Sequence, residues 1–113
     1  MAQYVYSTFF LSGLYVPEGR VVYYYTVPAG FTAVIRQITC SDASWDTDDQ
    51  MGVYLSPYDT RIFATPSLNP LNTDPAVYNA EGRWVQNQDG GIGLEVYQGN
   101  WTVYVGGYLL TNP

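Results

Sequence analysis

The groups in this chain that could do chemistry are almost all carboxylates. Asp46-x-Asp48-Asp49 crowds three of them into one short polar stretch, and hard cations such as calcium take oxygen ligands from flexible loops of that kind. The stretch lacks the glycine and terminal glutamate of an EF-hand loop, so calcium binding and a plain solvated acidic turn both stand as readings. Glu18, Glu81 and Glu95 are candidates for a glycosidase carboxylate pair, which is defined by separation in space and not in sequence. Nothing in the sequence brings two of them together, and Glu95 falls in the outward phase of its strand. Cys40 is the only cysteine. With no histidine to activate it and apolar Ile38 close by, it reads as a small core residue and implies no oxidising compartment. Asn100-Trp101-Thr102 fits a glycosylation sequon. No leader-like segment is visible between Met1 and Val16, so the sequon is expected to stay unmodified.

Absences narrow the choice further. Among 113 residues there is no histidine and no lysine, while tyrosine occurs 12 times and 10 Asp plus Glu face 4 Arg. The commonest general base and metal ligand is missing, and so is the amine that forms Schiff bases or holds phosphates. The expectation is a non-enzymatic protein with no catalytic, metal-binding or cofactor-binding residue and no cofactor. A net charge of −6, with Arg20, Arg36, Arg61 and Arg83 scattered, argues against nucleic acid, whose phosphates need clustered cations. Apolar runs such as Phe9-Phe10-Leu11 are too short for a membrane span or a signal core. Cytoplasmic synthesis and no membrane contact are therefore expected.

Aromatic side chains are the richer signal. Trp45, Tyr54, Tyr58, Tyr78, Tyr97 and Tyr104 fall in loops or on outward strand phases, where rings stack on sugars or pack against protein. Tyr4, Tyr6, Phe9, Phe10, Tyr23, Tyr25, Trp45, Tyr58 and Tyr78 are the expected contact residues, tyrosine giving large area at low entropic cost. The competing reading has most of these rings capping the ends of a small core. Only 12% of the residues are charged, against roughly 25% in ordinary soluble domains. Either neighbours cover part of the surface or Tyr, Ser, Thr and Asn solvate it.

The frame that positions these groups is all strand and turn. Val, Ile, Thr, Tyr, Phe and Trp gather in short runs stopped by Gly, Pro, Asn or Asp, with no 3.6-residue stripe. Gln3 to Leu11 is the first run, followed by Ser12-Gly13 and a turn at Val16-Pro17-Glu18-Gly19. Arg20 to Val27 puts Val21, Tyr23, Tyr25 and Val27 on one face and Val22, Tyr24 and Thr26 on the other. Both faces are partly apolar, so the strand is covered on two sides or meets a partner. From Phe31 to Cys40 the alternation slips between Phe31-Ala33-Ile35 and Ile38-Cys40, which requires a bulge near Ile35 or Arg36. Met51, Val53 and Leu55 bury one face of the next strand, and Arg61 to Ala64 is a short one. Thr65 to Glu81, with Pro66, Pro70 and Pro75, reads as a long ordered loop and an interaction surface.

Arg83 to Asn87, a hairpin-like turn at Gln88-Asp89-Gly90-Gly91, and alternating Ile92, Leu94 and Val96 follow. Trp101, Val103 and Val105 come next, then a bend or bulge at Gly106-Gly107 and a last run Tyr108-Leu109-Leu110. About eight short strands predict an all-β fold, an antiparallel β-sandwich or jelly roll. Residues 20–113 form the sandwich domain. Residues 1–19 form an N-terminal strand or arm, either an ordinary first strand or one paired with a neighbouring subunit.

The run Tyr25-Thr26-Val27-Pro28-Ala29-Gly30-Phe31-Thr32-Ala33-Val34-Ile35-Arg36-Gln37-Ile38-Thr39 resembles the opening of small β-sandwich virion structural proteins of tailed bacteriophages, especially those of actinobacteria. The closing pattern is similar too: Gly82-Arg83-Trp84-Val85, Leu94-Glu95-Val96-Tyr97 and Val103-Tyr104-Val105-Gly106-Gly107-Tyr108-Leu109-Leu110. The resemblance covers about Arg20 to Leu110 and lies in turns and strands rather than in a site. It implies a minor tail or head-decoration protein, a homo-oligomer touching other virion proteins, assembled in the host cytoplasm and resident in the virion. Low charge and abundant tyrosine fit such a subunit. The same aromatic, acidic sandwich also suits a carbohydrate-binding module holding host-surface glycan.

Overall fold

The computed structural model describes residues 3–42, 49–65 and 76–113. Trp45 and the acidic pair Asp46 and Asp48 lie outside them, as do Pro66, Pro70 and Pro75. β-Branched and aromatic residues dominate the strands, because they fit a pleated, half-buried surface. The strands are β1 (Val5–Val16), β2 (Gly19–Thr26), β3 (Phe31–Asp42), β4 (Gln50–Leu55), β5 (Thr60–Ala64), β6 (Ala76–Gln86), β7 (Gly91–Gln98) and β8 (Trp101–Thr111). No helix occurs among the described residues.

Pairing is nested about the middle of the chain. β1 lies antiparallel to β8, β2 to β7, β3 to β6 and β4 to β5. The chain is thus one long hairpin with β4–β5 at its tip, rolled up so that β3 also joins β8 and β4 joins β7. Two four-stranded sheets result, ordered β1-β8-β3-β6 and β2-β7-β4-β5, and the wrapping is that of a jelly roll. The expected all-β antiparallel sandwich is the observed fold. Between the sheets lies a core containing Phe10, Leu11, Val16, Ile35, Ile38, Met51, Leu94 and Trp101. Each aliphatic side chain fully buried there contributes about 1.5–3 kcal/mol.

Several local expectations change. The turns after β6 and β7 are corners that carry the chain from one sheet to the other, and among the described strands only β4–β5 is a hairpin within a sheet. A turn signal specifies a reversal; it does not specify which sheet the next strand joins. The expected break at Ser12-Gly13 is no break either. β1 runs on to Val16, and Gly13, at φ 65°, sits in a register shift between Leu11 and Leu14. The first half of β6 falls where a loop was expected: Val77 to Glu81 pair with Gln37 to Ser41 of β3. β4 is buried on both faces, since Tyr54 is only 8% exposed.

The bulge expected near Arg36 is present. Registers with both neighbours slip between Ile35 and Gln37, so Ala33 and Ile35 before it and Ile38 and Cys40 after it all face the core. In β2 a second slip, between Tyr23 and Tyr25, separates two tyrosines that strict alternation had placed on one face. Tyr25 turns inward, its ring 5.1 Å from that of Phe10. Tyr23 turns outward over Gly91 and Gly93.

Candidate interaction surface

The outer face of the β1-β8-β3-β6 sheet carries an open groove of about 380 Å³. It originates in two strand slips flanking two glycines. On β1 the register shifts between Phe9 and Leu11, and on β3 between Ile35 and Gln37; the strand between them is at Gly106-Gly107. The β3 bulge leaves both Arg36 and Gln37 exposed, as a regular strand would not. Neither glycine has a side chain to fill the floor. Phe9, 56% exposed, lies against Gly106 at one wall, Tyr108 rises beside it, and Ser7 and Thr8 add hydroxyls. Arg36 has no ion pair among the described residues. An aromatic wall, a guanidinium, an amide and hydroxyls can stack on a ring and hold an anionic or hydroxylated group.

The opposite outer face, on β2-β7-β4-β5, is closed by its own tyrosines. Tyr23 crosses Gly91 and Gly93 and donates its hydroxyl to Asp59 in the β4–β5 turn. Burial first, then the hydrogen bond and charge of Asp59, push the Tyr23 phenol up to about 12. Tyr54 lies beside Gly52, its hydroxyl 3.0 Å from Glu95 Oε1 and 2.6 Å from the Tyr97 hydroxyl. Burial raises its pKa above the usual phenol range, helped by those two partners. The raised pKa values keep both phenols protonated at neutral pH, with their hydroxyls engaged by neighbouring side chains.

The expected contact residues divide. Val5, Tyr6 and Phe9 of β1 and Tyr4 just before it are each exposed, Tyr6 with its ring 6.1 Å from that of Phe31, and Tyr58 is 88% exposed at the β4–β5 turn. Phe10 is buried in the core. Tyr25 and Tyr78 are half-buried and packed against it, Tyr78 with its ring 6.0 Å from that of Trp101. Phe10 is thus turned into the core, while Tyr25 and Tyr78 each leave part of the ring at the surface. They alternate like surface residues, but bulges and the unexpected length of β6 turn them inward. Tyr23 is engaged with Asp59, and Trp45 lies outside the described residues.

Among the three glutamates, Glu81 pairs in register with the exposed Gln37 on one outer face, while Glu95 contacts Tyr54 on the other. The sandwich separates them. Glu18 accepts a hydrogen bond from Gly99 N at 3.3 Å in the turn after β7. Burial pushes the Cys40 thiol up to about 12, in keeping with its core reading.

Sequence reasoning missed the groove as a site, although both of its signals were present: the slip at Arg36 and the paired glycines in β8. It also missed the Tyr54–Glu95–Tyr97 contact, which alternation along β4 and β7 puts on one face. No protein-family model, curated protein or solved structure matches the chain.

Proposed function

We propose that this chain is a non-enzymatic structural subunit of a tailed-phage virion, a minor tail or capsid-decoration protein that assembles through protein–protein contacts in the host cytoplasm. The observation that carries the reading is the set of exposed apolar side chains at the start of β1, Val5, Tyr6 and Phe9, with Tyr4 just before it. β1 is an edge strand, and natural edges are commonly guarded by lysine, of which this chain has none. A neighbouring copy or another virion protein would cover these side chains. Jelly rolls recur in capsid proteins, a support by analogy of fold alone.

Sedimentation equilibrium tests the proposal. The wild type is expected as a multiple of 12.6 kDa. The double variant Val5→Lys/Phe9→Lys is expected to disperse to monomer with its stability within about 0.5 kcal/mol of wild type, both sites being exposed. A wild type that is monomeric at all concentrations yet is retained on cell-wall glycan would defeat the proposal.

The groove favours a second reading, a carbohydrate-binding module. Phe9 and Tyr108 would stack on a sugar ring while Arg36 and Gln37 hold its polar groups. A glycan array run with wild type, Phe9→Ala and Arg36→Ala tests it: retention lost in both variants supports glycan binding, and no retention by wild type removes it.

A further inference from the structure

The end of the sandwich where the turn after β7 meets the start of β4 contains a buried carboxylate without compensation. Asp49 is 6% exposed, and its Oδ2 is shut off from solvent with no hydrogen-bond partner among the described residues. Gly99 makes room for it. At φ 111°, a Cβ on that residue would stand 2.7 Å from Asp49 Cγ and 2.8 Å from Trp101 Nε1.

Burying an ionised carboxylate is unfavourable unless a cation or several donors compensate it. This chain has no lysine or histidine to do so, and none of its arginines forms an ion pair with Asp49. Two nearby N–H groups are already given elsewhere: Trp101 Nε1 to the Gln98 carbonyl at 2.9 Å and Gly99 N to Glu18 Oε1 at 3.3 Å. The other polar groups at this turn present oxygen, the Gln98 carbonyl and the Glu18 carboxylate, and each accepts one of those bonds.

We propose that Asp49 is the anionic anchor of a divalent-cation site whose natural occupant is calcium. A carboxylate beside a carbonyl at an irregular turn suits calcium, which takes six to eight oxygens in flexible geometry. Magnesium demands a near-regular octahedron. Asp46 and Asp48 lie outside the described residues, and the assignment does not use them. The site is separate from the β1 surface and the groove, so it stands or falls independently of the proposed function.

Thermal denaturation of the full chain in EDTA and in millimolar calcium chloride, with wild type and Asp49→Asn, tests the assignment. Calcium is expected to raise the wild-type midpoint by several degrees. Terbium luminescence excited through tryptophan should appear and be displaced by calcium, since Trp101 borders the carboxylate. Asp49→Asn should lose both responses and be at least as stable as wild type in EDTA, because a neutral amide no longer buries charge. Calorimetric titration of the wild type with calcium gives an answer that does not depend on the variant folding. No heat and no midpoint shift in wild type overturns the site, as does an Asp49→Asn chain that responds to calcium like wild type.

Discussion

Gly106 and Gly107 are adjacent in β8 yet meet different surroundings. A Cβ on Gly107 would sit well inside van der Waals contact of the Val34 carbonyl oxygen, which is backbone and cannot move without breaking the β3–β8 ladder. A Cβ on Gly106 would meet the Phe9 ring at 3.1 Å, and that ring is exposed and free to pivot. Gly107→Ala is therefore expected to lose about 2–3 kcal/mol of stability, the scale of overpacking against a rigid neighbour. Gly106→Ala should change it by less than about 1 kcal/mol, since reduced freedom of the unfolded chain offsets the small displacement. Urea-denaturation midpoints separate the two, and equal effects would sink this account of the groove floor. At this scale the sequence was legible wherever local pattern and local conformation coincide. The slip at Arg36 could be read from Phe31-Ala33-Ile35 giving way to Ile38-Cys40. The slip at Tyr24 could not, because Val, Tyr and Thr on both phases of β2 leave no hydrophobic mismatch to betray it.

At the scale of elements, β1 decides whether residues 1–19 are an arm or part of the body. Its pairing with β8 runs from Val5↔Leu110 to Val16↔Trp101 within one chain, and it places Phe10, Leu11 and Val16 in the core. That makes it a first strand of the sandwich whose outer edge remains open. Removal of residues 1–16 is therefore expected to abolish cooperative folding. The loss would expose Val103, Val105 and Trp101 along β8, whereas loss of a mere arm would leave a stable domain. Circular dichroism and thermal melts of the shortened chain decide it; a sharp native-like transition would restore the arm. The two misread stretches have a common cause. Gly13 adopts the positive φ that a turn would use, so only its pairing with a distant strand shows it to be a bulge. Ala76-Val77-Tyr78-Asn79-Ala80 has modest strand propensity of its own, and its alignment with β3 imposes the strand, as tertiary context often does.

The whole molecule has an unusual titration. With no histidine and no lysine, few side chains change charge between the carboxylates near pH 4 and the tyrosines near pH 10. Stability should be nearly level from about pH 6 to 9, the range in which a histidine-bearing fold commonly shows a slope. The situation reverses in alkali. Burial and hydrogen bonding raise the phenols of Tyr23, Tyr25 and Tyr54, and burial raises the thiol of Cys40. These groups are neutral when protonated, so a raised pKa means that the native chain holds a proton more tightly than the unfolded chain does. Their contribution is complete below the unfolded values of 9.0 for the thiol and 10.0 for the phenols, and is lost as pH climbs to about 12 for Cys40 and Tyr23. Each proton released also adds negative charge to a chain already at −6 whose only cationic side chains are four arginines, and self-repulsion deepens the fall. Urea titrations from neutral pH to about pH 11 should give a plateau and then a steep decline. Tyr23→Phe keeps the ring over Gly91 and Gly93 but has no proton to lose, so its decline should be shallower than that of wild type. A Tyr23→Phe curve parallel to wild type above about pH 10 would show that ionisation of the buried, Asp59-bonded Tyr23 phenol does not contribute to the decline.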